Sequence, residues 1–375
     1  MNNGEAIRPK NVGESSQVLF SVFIPACAGK VLALIAVLLP GFFNDTPAGE
    51  IASDPSGIYR VALLGNSDTR LSIPFSRPKA AAGLVQSISD GVITLQGAPG
   101  WTTDQFVYSS GVQSNTYFVL IRSGSREGEH HTITANTADA ITVDLNGDTL
   151  TGVNAGDRIE IVPYWTLGTL FLGGAGIHIS PSPGSRSSEV LMPDLEGIGI
   201  NLSAARTYYF WSGAWRQVGQ GTANLSDDVL LPDAYVIVRH NIADSTTLLC
   251  NGVVWMGKLA VPLAVQAASK QDNFVALARP TAISLNDSGL ISSGAFSASP
   301  SPGARTDELF VFDDTVVGKN KAASATYYYW SGAWRKVGSG STDVGTDEVF
   351  QPGTGMVIRK GNGTGTAVWL NATTY

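Results

Sequence analysis

The chain has 375 residues, a net charge of −7 and only 15% charged residues, against roughly 25% in an average soluble domain. No cluster of Lys and Arg is present, which argues against a nucleic-acid surface. No basic amphipathic stretch suits a membrane surface either. Hydrophobic residues make up 43%, enough for the cores of two or three domains, and 42 glycines sit among Ser-, Thr-, Asn- and Asp-rich gaps between short apolar runs. That is the composition of a turn-rich all-β protein.

In chain order, residues 18–43 come first and carry one charge, Lys30. A lysine, the apolar run from Val31 to Phe43 and then "TPAGE" read as a secretory signal over residues 1–48, cut after Ala48 with Thr46 at the −3 position. The thirty residues before the apolar run are long for such a signal, which an upstream misassigned start explains. The competing reading is a membrane anchor, but Pro25, Lys30 and Pro40 break the stretch into pieces too short to span. Only Cys27 and Cys250 exist, so removal of the signal leaves Cys250 alone and no intrachain disulfide. It is expected to be a small buried residue rather than a nucleophile.

Next comes "DTRLSIPFSRP", ending at Pro78, and then a segment, 79–163, of six short alternating strands. Among them are "GVITLQG", "QFVYSSG", "TYFVLIRSG" and "EHHTITAN". Their even spacing predicts a small barrel or a compact sandwich, of which the barrel-like unit is preferred. Downstream, "TYYFWSGAWRQVG" from Thr207 recurs as "TYYYWSGAWRKVG" from Thr326, identical at eleven of thirteen positions and 119 residues apart. "SPSPG" at Ser180 and Ser299 keeps that offset, as do Arg186/Arg305, Glu189/Glu308 and Asp194/Asp313. "DNFVALARP", ending at Pro280, matches the earlier "DTRLSIPFSRP". The fold expected is therefore all-β, with two duplicated β-sandwich-like domains, 49–78 plus 164–258 and 259–375. The first carries 79–163 as an inserted small β-barrel-like domain. The insertion is expected to be separable, and the two copies to have separate cores.

In the repeated strip, Ser212-Gly213 is a plausible two-residue hairpin turn, which sets Phe210 opposite Trp215 and Trp211 opposite Ala214. The strip is read chiefly as a core hairpin, since aromatic side chains bury large areas. The competing ligand-binding reading makes Tyr208, Tyr209, Trp211 and their counterparts Tyr327, Tyr328 and Trp330 a stacking platform for sugars.

Chemistry-bearing motifs are sparse. Glu129 and His131 share a strand face beside His130 and Glu127, but no third metal ligand can be assigned, so a solvated strand edge is expected. "DLNGD" (Asp144, Asn146, Asp148) starts like a calcium loop, lacks its later ligands and reads as an Asn-Gly turn. His178 and His240 stand isolated. The adjacent carboxylates Asp227-Asp228 and Asp347-Glu348 lack the spacing across a cleft that glycosidases use. Arg186/Glu189 and Arg305/Glu308 read as structural ion pairs within each repeat. No catalytic residue, metal site or cofactor is expected.

"GWTTDQFVYSSGVQSNTYFVLIRSGSREGEHHTITAN", "AGDRIEIVPYWTLGTLF", "TYYFWSGAWR" and "PGTGMVIRK" together resemble a family of uncharacterised exported proteins of Verrucomicrobia-type bacteria, from about Ile51 to Tyr375. The resemblance implies export and supplies no catalytic site. The function expected is an exported, non-catalytic structural or surface-interaction protein, secreted or in the cell envelope. Its partner is unknown, with envelope glycan or self-association as candidates, and neither nucleic acid nor, after signal removal, membrane is expected. A carbohydrate-binding envelope protein is the alternative, and an extracellular polysaccharide-acting enzyme comes third.

Overall fold

The computed structural model describes residues 54–372; the expected signal at 1–48 lies outside them. The chain is all-β. Among the described residues the helical pieces are α1 (Leu167–Leu170) and a 3-10 turn, Leu172–Gly174.

Three β units follow one another in the chain. The first opens with β1 (Ser56–Leu63) and β2 (Asp68–Leu71). The barrel strands come next: β3 (Ala81–Ser89), β4 (Val92–Leu95), β5 (Tyr117–Ile121), β6 (His130–Asn136), β7 (Ala140–Val143) and β8 (Arg158–Pro163). The first unit then resumes with β9 (Trp165–Thr166), β10 (Ser188–Pro193), β11 (Ala204–Trp211), β12 (Ala214–Gln217), β13 (Val229–Leu230), β14 (Val236–His240) and β15 (Thr246–Val253). The last unit holds β16 (Leu259–Ala264), β17 (Gln271–Ala276), β18 (Glu308–Val311), β19 (Ala325–Trp330), β20 (Ala333–Lys336), β21 (Gly355–Lys360) and β22 (Thr366–Asn371).

The first unit has a five-stranded sheet, β12-β11-β10-β14-β2, and a two-stranded ribbon, β1-β15. The last unit has the same arrangement, β20-β19-β18-β21-β17 with β16-β22. Registers also agree: Phe210 faces Trp215 and Tyr329 faces Trp334 across their hairpins. Ser212 and Gly213 have φ of 50° and 75°, and Ser331 and Gly332 have 51° and 75°. Two consecutive left-handed residues make the type I′ turn whose twist matches paired strands.

Both five-stranded sheets would end in a bare edge, at β2 and β17, and each is covered by a loop of the other unit. The β18–β19 loop reaches β2: Gly318 O accepts from Asp68 N at 2.9 Å, and Asn320 N donates to Asp68 Oδ2 at 2.6 Å. The β10–β11 loop reaches β17 in the same way: Gly199 O accepts from Asp272 N at 2.9 Å, and Asn201 N donates to Asp272 Oδ2 at 2.7 Å. Each aspartate also receives an arginine from its own sheet, Arg239 on Asp68 and Arg359 on Asp272, both with Nε at 2.7 Å. Each arginine in turn donates to the clasping asparagine, Asn320 or Asn201. Burial opposes ionisation of Asp68, but the Arg239 hydrogen bonds and the Asn320 amide outweigh it and hold its carboxyl below the ordinary range.

The strands 81–163 close into a barrel, β3-β4-β7-β6-β5-β8. Two details differ from the sequence expectation. "QFVYSSG" is not a strand: its Phe106 is buried against Trp101 and Tyr117 at centroid distances of 4.9 and 5.4 Å, and its amide is held by Asn136 Oδ1. The sixth strand is instead Ala81–Ser89, whose "AAGL" start carries little β signal. Gly83 packs closely there, since a Cβ would meet Leu95 Cδ1 at 3.0 Å.

The larger correction concerns the inserted barrel, since the two copies do pack around separate clusters as expected. Val119, Ile121, Ile159 and Ile161 point into the barrel. Their neighbours Phe118, Leu120 and Val162 point outward, into the same apolar cluster as Trp255, Leu259, Leu309, Trp334 and Trp369 of the last unit and the segment leading into it. At β5 and the end of β8 the barrel wall is therefore buried on both faces, and the last unit shares its core with the barrel. The first unit packs around a different cluster containing Leu63, Val190, Tyr208 and Trp215.

Trp215 and Trp334 are fully buried. Trp215→Ala and Trp334→Ala should each cost roughly 3–5 kcal/mol, the range for deleting a large core aromatic, read as lower midpoints in chemical denaturation. Unchanged midpoints would show that the rings are not core. Replacing 79–163 by a two-residue linker should abolish cooperative unfolding of the remainder, because the outward face of Phe118, Leu120 and Val162 is removed from the shared cluster. A sharp two-state transition in the shortened chain would contradict that packing.

Candidate functional site

Four of the six candidate platform rings are buried: Tyr208, Tyr209, Tyr327 and Tyr328. Tyr209 and Tyr328 lie beneath the guanidinium groups of Arg186 and Arg305, at 5.9 and 5.8 Å. Those arginines are held by Glu189 and Glu308, each at 2.6 Å. Trp211 and Trp330 are half-buried. In the last unit, Trp330 and Tyr328 border a hollow of about 340 Å³, and Arg335 sits 5.8 Å from the Trp330 ring centroid. The six residues therefore do not form one exposed row, because strand alternation sends successive rings to opposite faces and both faces are largely covered.

A larger hollow lies elsewhere. A cleft of about 790 Å³ has an apolar floor that includes Leu71, Ile73, Met192 and Leu230, and four carboxylates, Asp194, Glu196, Asp227 and Asp228, line it as well. Asp228 accepts a short hydrogen bond from the Tyr208 hydroxyl, which also receives Arg206 Nη1 at 3.3 Å. Burial, and then the Asp228 carboxylate, push the Tyr208 phenol up to about 12. Asp227 is reached at 2.9 Å by the hydroxyl of Tyr108, from the "QFVYSSG" turn. So the adjacent pair Asp227-Asp228 serves two different tyrosines.

A second hollow, about 620 Å³, shares Asn146 and Leu231 with the first. Here the structure joins two motifs that the sequence left separate. Asp148 of "DLNGD" comes to Glu129 and His131, with one ligand atom from each lying within 4.8 Å of the others. The register of the β6–β7 hairpin was the available signal, since Ile133 faces Val143 and the chain beyond runs back past His131 and Glu129. His130 points to Asp233, its Nε2 at 3.9 Å, and burial lowers its pKa.

His178 and His240 are not isolated: their rings lie 4.7 Å apart. His240 and Ser188 form a buried pair, Ser188 Oγ to Nδ1 at 2.8 Å. This is not a nucleophile and base. Ser188 Oγ accepts from His178 N, His240 Nε2 meets Thr246 Oγ1 at 2.8 Å, and Thr246 passes its proton toward Gly176 O. A neutral imidazole with its proton on Nε2 satisfies every partner. In the last unit the same positions hold Asp307 and Lys360, a buried ion pair whose lysine also donates to Ala295 O. Cys250 is buried and free, and burial pushes its thiol up to about 12, far from a reactive thiolate.

Compared with family models, with curated proteins and with solved structures, the chain matches none of them.

Burial, then the neighbouring His178, depress His240 from 6.5 to about 4. The unfolded chain therefore binds the proton first, and the stability from a neutral His240 is present above pH 6.5 and lost as pH falls toward 4. Between pH 7 and pH 5 that loss should be about 2 kcal/mol in urea titrations. The double change Ser188→Asp/His240→Lys, which installs the last unit's pair, should flatten this dependence. An unaltered slope would place the acid sensitivity elsewhere.

Proposed function

We propose that this protein is an exported, non-catalytic surface-interaction protein, and that the 790 Å³ cleft is where its partner seats. The observation that carries the reading is the make-up of that cleft. An apolar floor bounded by four carboxylates against one cation, Arg206, which is already paired with Asp228, suits a partner segment with an apolar body and basic groups, because shape and apolar area supply affinity while the net negative charge selects and orients. Supporting it, Asp227 and Asp228 are each engaged by a tyrosine, an arrangement that fixes a surface and does not poise an acid and a base. Export is supported by the signal-like residues 1–48 and by the family resemblance.

A second reading, carbohydrate binding, rests on one observation: half-buried Trp330, with Arg335 near its ring, beside the 340 Å³ hollow.

The test uses residues 49–375 and a peptide series of matched apolar content carrying Lys, neutral or Glu residues. The Lys series should bind and weaken with added salt. Asp194→Asn/Glu196→Gln should reduce that binding while leaving the denaturation midpoint in place. Equal binding of all three series would remove the charge argument. No peptide binding, together with glycan-array binding lost in Trp330→Ala, would favour the carbohydrate reading.

A further inference from the structure

We propose that Glu129, His131 and Asp148 form a binding site for a divalent first-row transition ion of the Zn²⁺ type, with Arg126 as the resident cation that the ion displaces. The inference is independent of the cleft assigned above to the partner.

The three side chains come from two strands' ends. Glu129 and His131 flank the start of β6 on one face, and Asp148 follows the Asn146-Gly147 turn, where both residues have positive φ. Glu129 Oε2 and His131 Nε2 already lie 3.8 Å apart. A tetrahedral ion with bonds of about 2.0–2.2 Å spaces its donors by roughly 3.4 Å, so donors now within 4.8 Å of one another need to close by at most about 1.4 Å. Asp148 can supply that travel, since its side chain is half exposed.

Two observations separate this group from an ordinary charged patch. First, the His131 side chain is nine-tenths buried and its Nε2 makes no hydrogen bond. Buried ring nitrogens normally have a partner, and leaving one without costs about 1–3 kcal/mol. Second, the two carboxylates are already gathered around one positive charge. Arg126 Nε lies 2.5 Å from Glu129 Oε2, off the hydrogen-bonding angle, and Arg126 Nη2 lies 2.6 Å from Asp148 Oδ2. Arg126 Nη2 also donates to Thr149 O, a bond that would be given up. The guanidinium hydrogen-bonds Asp148 but leaves Glu129 Oε2 and His131 Nε2 without a hydrogen-bond partner. A dication in its place accepts electron pairs from all three.

The donor set selects the ion. One imidazole with two carboxylates suits Zn²⁺ and its neighbours, whereas Ca²⁺ takes six to eight oxygens. Three protein ligands leave a position for water or for an oxygen of a bound molecule, and the adjoining 620 Å³ hollow provides space for it.

The test is isothermal titration of untagged, chelator-treated residues 49–375 with ZnCl₂, with CaCl₂ and MgCl₂ as controls. One equivalent of Zn²⁺ should bind and raise the thermal midpoint, with Ca²⁺ and Mg²⁺ far weaker. His131→Gln and Asp148→Asn should each weaken binding by at least the roughly 10–100-fold that loss of even an outer-shell partner costs. Arg126→Gln should tighten it, because the competing cation is gone; a non-specific surface site would not respond in that direction. The proposal is overturned if neither the unmodified chain nor Arg126→Gln binds Zn²⁺. It is equally overturned if binding survives unchanged in His131→Gln and Asp148→Asn. Peptide binding in the other cleft, which uses none of these residues, reports separately on that function.

Discussion

The fold depends on a reciprocal clasp between two similar sheets. Each sheet's edge strand would present unpaired amides, and each is closed by a loop from the other unit ending in an asparagine, Asn320 on Asp68 and Asn201 on Asp272. The aspartates sit almost fully buried beside Arg239 and Arg359. Burying such charges brings little net stability, yet removing one partner strands the other without compensation. The clasp therefore acts mainly on specificity. It sets which edges meet and in which register, as an isologous dimer interface does, but within one chain. Further along, Gly353 O accepts from Ser72 N and Asp233 O from Ala276 N, so the reciprocity extends past the ion pairs.

Within that shared frame the two units have diverged at one buried polar position. Ser188 with His240 and Asp307 with Lys360 occupy matching places and reach matching carbonyls, Gly176 through Thr246 and Ala295 directly. Both solutions satisfy every partner, as a polar group in a core must be satisfied. They differ in what titrates. The imidazole is neutral because burial holds it so, and acid recharges it.

The barrel is a structural partner of the last unit, since β5 carries apolar side chains on both faces, Val119 and Ile121 inward, Phe118 and Leu120 outward. This packing fixes the loops of the barrel against the other units. As a result Tyr108 reaches Asp227, and the barrel's own cluster of Asp148, Glu129 and His131 comes to lie beside a hollow that Asp233 and Ala260 also border. The larger cleft lies between the first unit and the barrel, and the 620 Å³ hollow is lined by all three units; neither belongs to one unit.

The sequence by itself determined most of the elements, though not β3 or the turn at "QFVYSSG". Alternation and turn residues specified strands, the 119-residue offset specified that one strand order would occur twice, and the Ser-Gly turn with its facing Phe210 and Trp215 was legible because hairpin pairing is local. Arg186 with Glu189 and Arg305 with Glu308 were legible for the same reason, each pair being three residues apart. Tertiary structure alone decided what depends on distant segments meeting. Burial of Tyr209 and Tyr328 beneath arginines and the contact of His178 with His240 have no local signature, and the unbroken apolar run of β5 marks two-faced burial without showing what covers its outer face. The missing third ligand for Glu129 and His131 was present in "DLNGD" throughout, but composition shows only a turn. Its carboxylate acquires a chemical neighbour when the closed barrel brings it back across β6.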